Sequence, residues 1–187
     1  MSNDYYFHEI SMTAIQNIIV AALFTMTAFI SGGDLSAQET QNYQAMEARL
    51  LELDAREQIR QLMHNYGRFL DERDFSAFAG LFTETDSEYV SGGQTARGAV
   101  AIANMLEDII TANPSGLGSP NFHIFFNETI QVNVNEAAAF SQSAFVVPDD
   151  KGNPYMVFLA SYDDIFINRN GVWKFKRRVV RANLPAR

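Results

Sequence analysis

The chain has no cysteine and only three histidines and five prolines among its 187 residues. No cysteine means no disulfide, no thiolate nucleophile and no sulfur-ligated metal. Sparse proline, 47% hydrophobic residues and 15 phenylalanines are poor material for disorder and suit one globular domain with a sizeable core. A basic excess is also missing. The chain carries 14 Lys and Arg against 22 Asp and Glu, a net charge of −8, so it lacks the surface that neutralises phosphates and no nucleic-acid partner is expected. The one basic run, Lys174–Arg178, reads as the solvated face of a strand. No phosphate-cradling glycine loop or dinucleotide fingerprint is present, since Gly116-Leu117-Gly118 lies in a loop and not between a strand and a helix. No carboxylate–histidine cluster has ligand spacing and no Ser–His–Asp arrangement stands out, so neither a metal nor a cofactor is expected.

One long apolar run stands apart. Ile18–Ile30 is apolar except for two threonines, and the small, turn-forming residues Ser31–Gln38 follow it. The run is short for a membrane span and suits a signal-peptide core with cleavage after Ala37. No Lys or Arg precedes it, and Asp4 and Glu9 make the leading residues acidic, which favours an uncleaved N-terminal anchor as the other reading. Residues 1–38 are therefore set apart as signal peptide or anchor, with an exported, periplasmic location expected, and 39–187 form the domain. Removing Asp4, Glu9 and Asp34 with no base takes the charge from −8 to −5.

Between Tyr43 and Asp71 apolar residues recur at Ile59, Leu62, Met63, Tyr66 and Leu70, the spacing of one helical face. Asp74 is placed to cap a short second helix bearing Phe75, Phe78, Leu81 and Phe82. Ser87–Ser91 reads as a short strand closed by Gly92-Gly93. A third helix is expected from Gly98 to Ala112, its stripe formed by Ile102, Met105, Leu106, Ile109 and Ile110. The Gly-, Pro- and Ser-rich stretch Asn113–Pro120 ends the helical half. Strands are expected at 121–134, 137–147, 154–167 and 172–183, separated by turn-forming residues. Three helices followed by a meander define an α+β domain, with the helices packed on a curved, mostly antiparallel sheet that wraps an apolar pocket.

Chemistry concentrates on two residues. Asp71 sits near the end of the amphipathic helix and His123 opens the aromatic strand Phe122–Asn127. A carboxylate that orients an imidazole makes a general base near neutral pH. His64 is the other imidazole within reach of the helix. It lies two turns from Asp71, ~10 Å along the axis, too far for a direct hydrogen bond, and reads as a surface residue. Gly67, four residues before Asp71, would leave free volume on the same helical face. Tyr66, Tyr89 and Tyr162 are core candidates whose hydroxyls need partners and could donate to an oxyanion. Asn127 shares the alternation of His123 and Phe125, while Trp173 and Phe175 read as core.

These pieces resemble, in order and spacing, the SnoaL-like branch of the nuclear-transport-factor-2-like superfamily. They are a helix ending Tyr-x4-Asp-x2-Asp (Tyr66–Asp74), a Gly that opens the third helix, a His-x3-Asn strand (His123–Asn127), Tyr162-Asp163-Asp164, and Gly171–Phe175 (GVWKF). The resemblance covers about residues 45–183 and implies a cone-shaped barrel. Because such folds host many unrelated functions, the fold alone does not assign one. Among its members, the scytalone dehydratase and dehydrochlorinase group is nearest by motif. It implies a base dyad at Asp71 and His123, a substrate-facing tyrosine at Tyr89, and a substrate-binding arginine at Arg178. Strict alternation instead puts Arg177 on the face of Trp173 and Phe175, and only a bulge would exchange the two.

The departures are informative. The dehydratase's strand Ser and Asn fall on Ala160 and Tyr162, and its second histidine falls near Ala144–Val147, where this chain has none. The ketosteroid isomerase tyrosine falls on Tyr66, but that family's acid falls near Tyr89, which disfavours its mechanism. The resemblance thus implies a cofactor-independent lyase or isomerase, of dehydratase or cyclase type, acting on a small hydrophobic or aromatic molecule. Asp71 and His123 would be catalytic, and Tyr66, Tyr89, Asn127, Tyr162 and Arg178 would contact substrate. The alternative is a non-catalytic ligand-binding or assembly module. In either case a homodimer through the sheet face is expected.

Overall fold

The computed structural model describes residues 12–112 and 120–184, with side chains from residue 36 onward. The N-terminal apolar run therefore lies outside the described side chains, and 113–119 lie outside the described residues. Backbone contacts divide the chain into two compact units, Met1–Leu50 and Leu51–Arg187. Helix α1 spans Met12–Glu72 and begins well before the expected Tyr43.

Within the second unit, α1 buries Ala55, Ile59, Met63, Tyr66 and Leu70, with Leu62 partly buried beside them. The apolar spacing thus becomes the core face. The helix stops at Arg73, whose φ of 62° is left-handed. Arg73 N–H donates to the Leu70 carbonyl at 3.2 Å and Asp74 N–H to the Phe69 carbonyl at 2.9 Å. This pair of bonds is a Schellman closure formed without the usual glycine. Asp74 then caps α2 (Phe75–Ala79), its carboxylate accepting from Ala77 N–H at 2.9 Å. Helix α3 spans Ala99–Ala112 and follows Gly98, whose φ is +81° and where a Cβ would come 3.2 Å from the Glu84 carbonyl oxygen. Ile102 and Leu106 of α3 are buried, whereas Ile109, expected in the same stripe, is 40% exposed.

The sheet has six strands: β1 (Glu88–Ser91), β2 (Gln94–Arg97), β3 (Phe122–Asn133), β4 (Glu136–Pro148), β5 (Pro154–Arg169) and β6 (Val172–Leu184). β2 was not expected, because four mostly exposed residues show no apolar alternation. The order is β2-β1-β6-β5-β4-β3, so β2 and β3 are edges and the sheet curves without closing into the expected barrel. β1 runs parallel to β6, and every other pairing is antiparallel.

Two irregularities in the ladders decide where polar side chains go. In β6, Phe175 pairs with Phe166 and Arg177 with Ile165, which leaves Lys176 as an extra residue. The inward face therefore passes from Trp173 and Phe175 to Arg178, and Arg177 turns outward onto Glu88. In β3 the register shifts between Phe126 and Thr129, and Asn127 sits at φ 54°. That shift carries Asn127 off the inner face.

Helix α1 and strand β3 approach closely at Gly67. A Cβ there would lie 2.9 Å from His123 Cβ and 3.0 Å from a ring carbon of Phe125. The volume left by Gly67 is thus filled by β3 and does not enlarge a pocket. Gly67→Ala should force strand and helix apart and cost about 1–3 kcal/mol, read as a lower midpoint in urea unfolding with an unchanged slope.

Candidate active site

A cavity of about 570 Å³ opens between α1, α3 and the inner face of the sheet. Leu70, Leu106, Ile109, Ile110, Phe145 and Phe158 supply its apolar walls. Its size and lining are those of a small-molecule site. Tyr66, Tyr89, Tyr162 and His123 bring polar atoms to the same space.

Asp71 and His123 meet at one side of it. Asp71 stands in the last turn of α1, which the closure at Arg73 terminates. Its Oδ1 lies 2.6 Å from His123 Nδ1. Its Oδ2 accepts the backbone N–H of His123 at 2.9 Å, and Asn121 Nδ2 donates to Oδ1 at 2.5 Å. A carboxylate facing Nδ1 places a proton on that nitrogen and leaves Nε2 as the basic atom of the ring. The imidazole also packs against Phe145, with ring centroids 4.7 Å apart.

The tyrosines form two hydroxyl pairs. Tyr66 and Tyr89 hydroxyls are 2.7 Å apart, and Tyr162 hydroxyl is 2.9 Å from Ser143 Oγ. One proton lies between the two oxygens of each pair, so a second proton stays available to another acceptor. Burial first, and then the neighbouring phenol, pushes Tyr66 well above the ordinary tyrosine range. Tyr89 and Tyr162 are pushed up for the same leading reason. All three are therefore neutral hydrogen-bond donors at physiological pH.

Arg178 lies deeper. Its side chain is fully buried and grips Asp164 through two parallel bonds, Nε–Oδ1 at 2.8 Å and Nη2–Oδ2 at 2.7 Å. Its Cζ sits 4.0 Å from the centroid of Tyr66, 4.3 Å from Phe175 and 4.6 Å from Tyr162. Burial works against the guanidinium charge, but the Asp164 carboxylate outweighs it and holds Arg178 above its ordinary value. The same burial pushes the Asp164 carboxyl up and Arg178 draws it back, and the fork geometry is that of an ionised carboxylate.

Of the residues singled out from sequence, Tyr66, Tyr89, Tyr162 and His123 thus line one cavity, with Asp71 bonded behind His123. Two expected substrate contacts do not line it. Asn127 is exposed at the β3 bulge and donates to Gln142 at 2.9 Å. Arg178 lies behind the tyrosines. His64 is exposed, the surface residue it was read to be. Asn121 and Asp164 were not singled out, although each alternates with a residue that was, His123 and Tyr162 respectively. Among the described residues no group of His, Asp and Glu is arranged to hold a metal.

The helix-end acid, the strand histidine and the tyrosine-lined cavity on an open α+β sheet point to one family. The SnoaL-like domain model matches residues 51–179, more than half of the chain, and the protein belongs to that family. A protein from Novosphingobium aromaticivorans with an NTF2-like, cystatin-like fold superposes with a TM-score of 0.66 at 27% identity, over 74% of this chain and 88% of that one. A scytalone dehydratase-like protein from the same organism gives 0.59 at 27% identity, over 71% and 87%. Hexachlorocyclohexane dehydrochlorinase LinA-type3 from Novosphingobium barchaimii gives 0.60 at 19% identity, over 71% and 89%, a likeness of fold. No curated protein matches the sequence.

The geometry gives Arg178 a structural task that substitution can measure. Arg178→Met removes one partner of a buried pair and strands the Asp164 carboxylate. It should cost about 3–5 kcal/mol, seen in chemical denaturation. A residue held only for substrate would give no such loss.

Proposed function

We propose that the protein is a cofactor-independent lyase or isomerase that uses His123 as its base and Asp71 as the group that orients and charge-supports it. The observation that carries this is the 2.6 Å Asp71–His123 contact at the wall of a tyrosine-lined apolar cavity. His123 Nε2 takes a proton from an acidic C–H or O–H of a small, mostly apolar or aromatic substrate. The imidazolium so formed is stabilised by the Asp71 carboxylate through Nδ1–H. Negative charge that accumulates on a substrate oxygen is met by the hydroxyl pairs, Tyr66 with Tyr89 and Tyr162 with Ser143. The proton on Nε2 then returns to another substrate atom in an isomerisation, or to the leaving group in an elimination. Homodimerisation through the outer sheet face and export by the N-terminal apolar run belong to the same proposal. The first is supported by exposed Phe122, Ile124, Phe140 and Ile165, and the second by Ile18–Ile30.

A second reading, a ligand carrier without chemistry, draws support from Arg178. With its guanidinium committed to Asp164, the position that would hold a leaving group in the dehydrochlorinase pattern is occupied by a structural ion pair.

The test needs no knowledge of the natural substrate. 5-Nitrobenzisoxazole loses its C3 proton to a base, its N–O bond breaks, and a coloured nitrile phenolate results, so its turnover reports a base in an apolar site. His123→Ala should slow this reaction by ~10²–10⁴-fold, and Asp71→Asn should slow it by less because the base itself is retained. Wild-type turnover in His123→Ala would end the proposal, and tight binding of the probe with no acceleration over free imidazole would favour the carrier.

A further inference from the structure

The Asp71 carboxylate is held by a second residue, Asn121, which immediately precedes β3. Asn121 is 4% exposed and its Nδ2 donates to Asp71 Oδ1 at 2.5 Å. The amide orientation follows from this contact, because the opposite one would set two oxygen acceptors together. Asn121 and His123 are two residues apart on an extended segment and so face the same way.

The distribution of donors over the carboxylate is uneven in a useful way. Oδ2 takes the backbone N–H of His123, which alone would tie β3 to the end of α1. Oδ1 takes both the imidazole Nδ1 and the Asn121 amide. Apart from the ring that it orients, the carboxylate without Asn121 would be held at Oδ2 alone and could rotate about its Cβ–Cγ bond to offer the ring a different lone pair. With the Asn121 amide at Oδ1 and the His123 backbone N–H at Oδ2, its plane is set independently of the ring by the segment that enters β3. The packing of Gly67 on His123 and Phe125 keeps that strand at a fixed distance from the helix. The cost of the arrangement is visible. Asn121 Oδ1 is buried without a partner among the described residues, a penalty that strand pinning would not require.

We propose that Asn121 is a positioning residue for the Asp71–His123 pair, holding the carboxylate in the plane that keeps the proton on Nδ1 and Nε2 free for the cavity. This rests on His123 being the base. It adds a third side chain to the dyad, acting through Asp71 and not on substrate.

Two variants separate positioning from packing. Asn121→Leu keeps the volume and removes the donor, while Asn121→Ser is smaller and keeps one. With 5-nitrobenzisoxazole, Asn121→Leu should lower kcat by about tenfold with little change in KM. Asn121→Ser should recover part of that loss. The independent readout is proton NMR of the His123 ring. The wild type should show a low-field Nδ1–H resonance that His123→Ala deletes, and Asn121→Leu should shift it upfield or broaden it while the protein stays folded by circular dichroism. Unchanged kcat and an unchanged resonance in Asn121→Leu would overturn the proposal. So would a loss of kcat with the resonance unmoved, since that is the mark of packing. If His123→Ala retains turnover while Asn121→Leu still moves the resonance, the base assignment fails and the coupling of Asn121 to the pair stands.

Discussion

The buried ion pair between Arg178 and Asp164 is the constraint around which the inner face of the sheet is arranged. Two opposite charges with fully buried side chains are tolerable only when each is met by its partner in good geometry. That geometry requires Arg178 to face inward opposite Asp164, and the paired register Asp164↔Arg178 provides it. Inward placement in turn requires the extra residue at Lys176, because uninterrupted alternation from Trp173 would have presented Arg177. The aromatic rings stacked on the guanidinium follow from the same need. Tyr66, Phe175 and Tyr162 give a planar, weakly hydrated cation apolar and quadrupolar contacts that a lysine ammonium would use less well.

This pair links helix to sheet. Tyr66 belongs to α1, yet its ring contacts Phe78, Tyr89, Phe125, Tyr162 and Phe175 besides Arg178. Its hydroxyl reaches Tyr89 on β1. One side chain therefore sets the height of α1 over four strands, and Asp71, five residues further on, is delivered to β3 as a consequence. Gly67 sets how near the two elements can come. Asp71 then fixes His123 at the cavity wall by accepting from both its backbone and its ring.

Much of this was legible in the sequence, for physical reasons that can be named. The core face of α1 was readable because Ile59, Met63, Tyr66 and Leu70 repeat at helical spacing. The four long strands were readable because turn residues such as Asn168–Gly171 interrupt apolar runs, and Asn170 and Gly171 do adopt positive φ. Asp74 was readable as a cap because its chemistry is local. The failures share a cause as well. The places of Asn127 and of Arg177 against Arg178 are set by bulges, which shift the period by one residue and leave no mark on residue type. β2 is too short and polar to carry a period, and closure of the barrel is a property of edges far apart in sequence. Asn121 and Asp164 were missed because a buried polar residue looks like a surface one until its partner is known.

Two acid-bearing pairs lie near the cavity, one at its wall and one behind the tyrosines, and their chemistry suits them to different work. Arg178 never gives up its proton under physiological conditions, and Asp164 is locked to it by two bonds, so that pair cannot carry a proton to or from a substrate. It supplies a fixed field beneath the tyrosines. Asp71 bears instead on an imidazole, the one side chain whose ordinary titration spans neutral pH, and that imidazole lines the cavity with 11% of its side chain exposed. A base must be reached by substrate and must be able to return its proton. Under the proposed function Asp71 with His123 meets both conditions, since His123 lines the cavity and Arg178 and Asp164 do not.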